Sequence, residues 1–253
     1  MPESRDSQQP QVAKLGILIA LAIAGQFIAR WIGSRYVTNL SAPAQNASVA
    51  IDLILLASVP FGFFLAPRLS LPGTPLLDRW MRREPVGPEF NRTLYRSLVL
   101  ALISLIAALA VSLLPHARVH TEGINAPIPL AFDILLAIAA ALREEIEFRL
   151  GLLTVLAWLI NQASRALFSG GRTVSLWIAN LIQAMAFGAL HQIAGFAGRT
   201  STLSLTGVML EPRTVGGVIL GYAYIRYGLE SAIMTHALGD ALIFVLLTLF
   251  AKL

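Results

Sequence analysis

Long apolar runs alternate with short polar connections from one end of the chain to the other. A helix that crosses a bilayer needs roughly 20 mostly apolar residues, and most of these runs are close to that length. The pattern predicts about seven spanning helices, with six to eight as the range, over residues 12–32, 49–66, 94–114, 130–160, 174–193, 214–227 and 229–251. The expected fold is therefore an all-α, polytopic transmembrane helix bundle.

Two of the runs depart from a simple upright span. The run at 130–160 is too long, so we expect it to tilt, to break near Gly151 or to extend beyond the bilayer. The run at 214–227 is short and rich in glycine. Composition agrees with a membrane protein, because charged residues make up 13% of the 253 residues, about half the share usual in soluble domains.

The distribution of basic residues favours a membrane over a nucleic acid as the partner. The formal net charge is +5, but the arginines concentrate in the connection at 67–96, as they do in the cytoplasmic loops of membrane proteins. We therefore predict a multi-pass membrane protein, located in the plasma membrane if the source is bacterial, with no nucleic-acid partner. The chain has no cysteine, which excludes disulfides, thiolate catalysis and cysteine-based zinc sites.

A charged segment interrupts the fourth apolar run, where residues 143–149 read Arg-Glu-Glu-Ile-Glu-Phe-Arg. Ionisable groups inside a spanning helix suggest a functional site. Residues four apart share a helix face, so Arg143 should pair with Glu147, and Glu145 with Arg149. Glu144 is then left without a cation. An unpaired carboxylate in an apolar setting is suited to act as a general base.

Two further spans carry ionisable groups at a similar depth. His191 follows Phe187 by one helical turn, and Asp240 follows His236 by one turn. We expect Asp240 to bind Nδ1 of His236, which would aim the other ring nitrogen. Polar groups in hydrocarbon must face protein or water. The sequence therefore predicts one mid-membrane polar cavity that holds Glu144, Glu145, Arg149, His191, His236 and Asp240.

Three motifs in this order resemble the CPBP family of intramembrane proteases, which includes the CAAX prenyl endopeptidases and the bacterial Abi-type proteins. The motifs are Glu144-Glu145-x-x-x-Arg149, Phe187-x-x-x-His191 and His236-x-x-x-Asp240. The resemblance covers about residues 130–245. It implies an enzyme that hydrolyses a peptide bond, and it divides the chain into N-terminal spans with a basic cytoplasmic loop (1–129) and a catalytic helical core (130–253).

The resemblance also implies roles for the residues of the three motifs. Glu144 together with His191 would activate a water molecule, and His236 with the residue four later would stabilise the oxyanion. Arg149 would hold Glu145 in place. The family commonly has Asn where this chain has Asp240. An ionised Asp cannot donate a hydrogen bond, so we expect Asp240 to hold His236 as an imidazolium.

The family is often described as metalloproteases, which leaves the type of hydrolase open between a glutamate and a metallo mechanism. Glu144, His191 and His236 could hold zinc with an open position, although the favoured interpretation requires no cofactor. The expected substrate is a membrane-bound peptide or protein, which could be lipidated and could carry a C-terminal CAAX sequence.

Two other functions would also place ionisable groups in the membrane. One is a proton-coupled transporter or channel, although the chain shows none of the repeats that many transporters have. The other is a non-cleaving member of the same family that works as a membrane-embedded binding or immunity protein.

Overall fold

The structure, a computed structural model, describes residues 5–36, 42–114, 129–167, 171–195 and 205–250. Every regular element in these ranges is a helix, which confirms the predicted all-α class. A short 3₁₀ turn covers Pro67–Leu69, and a π-helical segment covers Ile146–Leu153. The α-helices are α1 Arg5–Tyr36, α2 Ala42–Leu65, α3 Pro75–Met81, α4 Gly87–Ser112, α5 Leu130–Glu145, α6 Thr154–Leu167, α7 Arg172–Gly195, α8 Leu205–Met209, α9 Pro212–Tyr227 and α10 Leu229–Phe250.

Four helices in the described ranges are long and apolar enough to cross a membrane, namely Gln9–Arg35, Gly87–Ser112, Arg172–Gln192 and Leu229–Leu249. Val49–Leu65 is apolar but shorter. They confirm an integral, multi-pass membrane protein. The predicted number of seven spans stays a prediction, because α9 has 16 residues and the run at 130–160 carries the charged segment. Residue 251, the end of the last predicted run, lies outside the described residues.

The fourth predicted run does not stop at Gly151. It continues from α5 through the π segment into α6, and Gly151 lies inside the π segment. A π segment adds a residue to a helical turn, changes the angular spacing of side chains and occurs often at functional sites. The widened turns begin immediately after Glu145, so they fall on the charged segment.

The continuous helix formed by α5, the π segment and α6 lies among most of the other helices. α1 and α10 pack on α5, α2 packs on the π segment, and α7 packs on α6 and α9. A Cβ on Gly62 would lie 1.7 Å from the carbonyl oxygen of Leu150, and one on Gly151 would lie 2.2 Å from Ser58 Oγ. Only glycine at these two positions lets α2 touch the π segment along the backbone, which fixes the charged segment in the interior.

The distribution of exposed and buried side chains fits a helical membrane bundle. Large apolar residues such as Phe27, Ile54 and Ile106 are at least 66% exposed, as expected for surfaces that face lipid. In contrast, Glu145 and Arg149 are 0% exposed. Charged groups inside and apolar groups outside are the arrangement that hydrocarbon favours.

Candidate active site

The structure places the ionisable residues of the three motifs around one site between α5, α7 and α10. Glu144 and Glu145 end α5, His191 lies near the end of α7, and His236 lies in the third turn of α10. Glu144, Glu145 and His236 are all buried, and His191 is half-buried. Asp240 lies one turn beyond His236 with a side chain that is 33% exposed.

Glu145 is held between a cation and an imidazole. Its Oε2 lies 3.0 Å from Nε of Arg149, which forms the predicted pair between residues four apart. Its Oε1 lies 2.8 Å from Nδ1 of His236. The guanidinium of Arg149 also lies 4.9 Å from the centre of the Phe187 ring, on α7. Because both members of the ion pair are fully buried, Glu145 is a fixed acceptor that orients the His236 ring.

The other ring nitrogen of His236 faces two more carboxylates. Nε2 lies 3.3 Å from Oδ2 of Asp240 and 3.9 Å from Oε2 of Glu144. The predicted pairing of Asp240 with Nδ1 is therefore wrong, because Glu145 occupies Nδ1 from a different helix. Asp240 and His236 do form a pair, but through Nε2, the nitrogen that points toward Glu144.

The prediction that Glu144 has no cationic partner is also wrong. Nη2 of Arg143 donates a hydrogen bond to Oε1 of Glu144. The predicted Arg143–Glu147 pair is absent, and Glu147 is 3% exposed with its Oε2 lacking a hydrogen-bond partner. The physical reason is twofold: the π segment starts at Ile146 and alters the spacing that a regular helix would give, and α1 and α2 offer Arg143 other acceptors.

Those acceptors are Gln26 on α1 and Asp52 on α2, neither of which the sequence connected with the site. Nη1 of Arg143 donates to Oε1 of Gln26 at 2.5 Å and lies 3.9 Å from Oδ1 of Asp52. Nε2 of Gln26 in turn donates to Oδ2 of Asp52 at 2.6 Å. The sequence signal for this contact was that Gln26 and Asp52 are polar residues within apolar runs. Spacing along one helix, however, does not show which other helix a residue faces.

His191 is oriented by its own helix. Its Nδ1 lies 2.9 Å from the carbonyl oxygen of Phe187. A carbonyl only accepts, so Nδ1 carries the proton and Nε2 of the neutral ring is an acceptor. The Phe187 ring lies 4.5 Å from the His191 ring and 6.1 Å from the His236 ring, measured between centroids. Glu144 is near enough to both histidines to interact with them electrostatically.

Two buried amide side chains on α7 join the helices next to the site, and the sequence analysis did not identify them. Nε2 of Gln183 donates to the carbonyl oxygen of Gly217 at 3.2 Å and to Oδ1 of Asn180 at 2.9 Å. Nδ2 of Asn180 donates to the carbonyl oxygen of Val218 at 3.0 Å. Nη2 of Arg149 also reaches the Gly217 carbonyl, at 3.4 Å. These bonds tie α9 to both α7 and the arginine.

The residues suggested as zinc ligands, Glu144, His191 and His236, do not fit a metal site as they are placed. One oxygen of Glu144 accepts from Arg143, and both ring nitrogens of His236 face carboxylates. Within the part of the chain that the structure describes, no three His, Asp or Glu side chains are arranged to hold a metal ion.

Comparison with known proteins agrees with the resemblance carried by the motifs. Residues 126–242 match the family model described as Type II CAAX prenyl endopeptidase Rce1-like, a range that contains all three motifs. No curated protein and no solved structure matches the chain.

Proposed function

We propose that the chain belongs to the Rce1-like family of type II CAAX prenyl endopeptidases, whose model residues 126–242 match, and that it hydrolyses a membrane-associated peptide at the site between α5, α7 and α10. The observation that carries the proposal is the meeting of Glu144, His191 and His236, which come from three helices and are far apart in sequence. A peptide with a C-terminal CAAX sequence is the substrate class that the family name suggests.

Glu144 and His191 are the groups suited to activate water. Oε1 of Glu144 is occupied by Arg143, whereas no hydrogen bond to Oε2 is present among the described residues. Oε2 can therefore accept a proton from a water molecule. Nε2 of His191 is an acceptor when its Nδ1 proton is held by the Phe187 carbonyl, so it can fix the orientation of the same water. Positioning and proton removal together are what general-base catalysis needs.

His236 is suited to stabilise the charge that develops on the substrate. In its imidazolium form, Nδ1–H is held by Glu145 and Nε2–H points into the space between Asp240 and Glu144. A donor fixed beforehand where negative charge develops is the usual way an enzyme lowers this barrier. Arg149 acts indirectly, because it holds Glu145, and Asp240 favours the imidazolium form.

The proposed reaction proceeds in two steps. The water oxygen bonds to the scissile carbonyl carbon while its proton passes to Oε2 of Glu144, and Nε2–H of His236 donates to the resulting oxyanion. The carbonyl then re-forms and the C–N bond breaks, with the proton on Glu144 passing to the leaving nitrogen. The products are a carboxylic acid and an amine, Glu144 regains its charge, and no metal takes part.

The test is cleavage by the purified protein in lipid vesicles. The substrates are one prenylated CAAX peptide, the same peptide without the prenyl group, and an unrelated membrane-spanning peptide. Glu144→Gln and His191→Ala are each expected to lower kcat at least about 100-fold, since general acid–base groups contribute typically 10²–10⁴-fold. Glu147→Gln is the matched control, because it removes a buried carboxylate three residues further along the same helix and is expected to keep activity.

Cleavage that persists in both Glu144→Gln and His191→Ala would remove the proposed site. Proton-dependent uptake into vesicles without cleavage would favour a transporter instead. Full biological activity of Glu144→Gln would favour a non-cleaving binding protein. Cleavage of the unprenylated peptide at the same rate would show that the prenyl group is not recognised.

A further inference from the structure

Part of the hydrogen-bond network around Glu144 comes from outside the residues that match the family. Arg143, which binds Glu144, is itself bound by Gln26, and Gln26 donates to Asp52. Nη2 of Arg30 donates to the same Asp52 oxygen at 3.1 Å. The chain of contacts thus runs from α2 through α1 to the end of α5, and it ends on an oxygen of the carboxylate proposed as the base.

The backbone of α1 is shaped for this contact. A Cβ on Gly25 would lie 2.5 Å from the carbonyl oxygen of Ala139 and 3.3 Å from Cβ of Arg143. Any larger residue would force α1 away from α5. By contrast, a Cβ on Gly16 or on Gly33, in the same helix, would have nothing within 4 Å. A close approach of α1 to the backbone of α5 therefore lies one residue before the glutamine that binds Arg143.

Two carboxylates on its own helix, Glu144 and Glu147, are candidate partners for Nη2 of Arg143, and only Glu144 is paired with it. Glu147 is four residues further on, the spacing at which an arginine and a glutamate pair on a regular helix, and it is buried without a hydrogen bond to its Oε2. Glu144 is the acceptor actually taken. Because Gln26 and Asp52 both contact the other guanidinium nitrogen, Nη1, they bias the side chain toward the orientation in which Nη2 meets Glu144.

We propose that Gln26 and Asp52 are positioning residues for the peptidase reaction, which hold Arg143 on Glu144 and away from Glu147. The proposal rests on the proposed function. When these acceptors are lost, Arg143 can turn to Glu147, and the Glu144 carboxylate loses the contact that fixes its second oxygen toward water. Misplacement of a catalytic group by about 1 Å can cost roughly 100-fold in rate.

The test measures kcat and KM of a set of variants, with the peptide that the wild type cleaves fastest among the three substrates named above. Gln26→Leu removes both hydrogen bonds of the amide and is expected to lower kcat about tenfold with KM unchanged. Arg143→Gln should lower kcat at least as much. The double variant Gln26→Leu/Arg143→Gln should be no worse than Arg143→Gln alone, because residues that act through one another are not additive. Gln26→Leu/Glu147→Gln should recover most of the activity, since the competing carboxylate is gone.

Gly25→Ala should reproduce the loss of kcat by separating α1 from α5, and Gly33→Ala is its matched control. Thermal unfolding of each variant identifies any that fail to fold. Two results would overturn the proposal. One is that the losses of kcat multiply in Gln26→Leu/Arg143→Gln, and the other is that Gln26→Leu changes KM alone. If the wild type cleaves no peptide, the proposed function fails by itself. In that case Gln26→Leu, Arg143→Gln and their double variant test the Gln26–Arg143 contact through their unfolding temperatures. Additive effects of the two substitutions would refute the contact.

Discussion

Replacing Arg149 with methionine is expected to destabilise the folded protein by about 3–5 kcal/mol, the usual cost of removing one partner of a buried ion pair. Arg149 and Glu145 are both 0% exposed, and the atoms Nε and Oε2 lie 3.0 Å apart. Methionine fills much of the same volume, so the loss is mainly electrostatic. The remaining carboxylate would be left in the interior with His236 as its partner.

The magnitude follows from the geometry. Two unit charges at that separation attract by about 5–6 kcal/mol at an effective dielectric constant of about 20. The contact of the guanidinium with the Phe187 ring adds about 1 kcal/mol. Two effects reduce this loss of stability. The cost of removing the arginine charge from water disappears in the variant, and Nδ1 of His236 remains 2.8 Å from Oε1 of Glu145 as a partner. The net value therefore falls within the range for an uncompensated buried charge.

A second substitution separates the ion pair from simple packing. The double variant Glu145→Gln/Arg149→Met removes both charges, and it should be more stable than Arg149→Met alone because no unpaired charge remains. Arg92→Met is the control, since that arginine is 60% exposed in its pair with Glu89 and surface pairs contribute at most about 1 kcal/mol. The measurement is equilibrium unfolding in mixed detergent micelles. A single variant as stable as the wild type, or a double variant less stable than the single one, would refute the reasoning.

Three shorter predictions concern other contacts. Tyr224→Phe should lower the free energy of unfolding by about 1–2 kcal/mol, because its hydroxyl lies 2.9 Å from Thr154 Oγ1 in the buried core; Tyr222→Phe is the control. Gly62→Ala should lower the unfolding temperature far more than Gly33→Ala, since its Cβ would meet the Leu150 carbonyl, and calorimetry or fluorescence checks this. A strong zinc chelator should leave peptide cleavage unchanged; a loss that added zinc restores would contradict the metal-free mechanism.

Some contacts of the site could be predicted from the sequence because the information for them is local. The three motifs are each visible as a pair or triplet with helical spacing, and apolar sequence on both sides indicates burial. The Glu145–Arg149 pair follows from the same spacing and is present. The histidines on α7 and α10 were predicted to share a cavity with these residues because ionisable groups inside a membrane protein avoid lipid.

The errors arose where the outcome depends on a contact between helices. The partner of Arg143 is decided by Gln26 on α1, and nothing in the spacing of residues 143–149 contains that information. The ring nitrogen that Asp240 binds is decided by Glu145 in the same way. The π segment is a third case, because it changes the angle between successive side chains, and the close approach of α2 to the π segment depends on Gly62 and on Gly151.

The helices that precede the family match have a physical reason to be joined to it. α1 packs on α5, and α2 packs on the π segment, so without them two apolar faces next to the site would lose their cover. The guanidinium of Arg143 would lose the amide and the carboxylate that now satisfy Nη1. A partly buried cation with incomplete partners is costly. The nearest acceptors left to Arg143 would be Glu144 and Glu147, and the proposed base is held in the first case and released in the second. We therefore expect the choice between those states to be a property of the whole bundle and not of residues 126–242 alone.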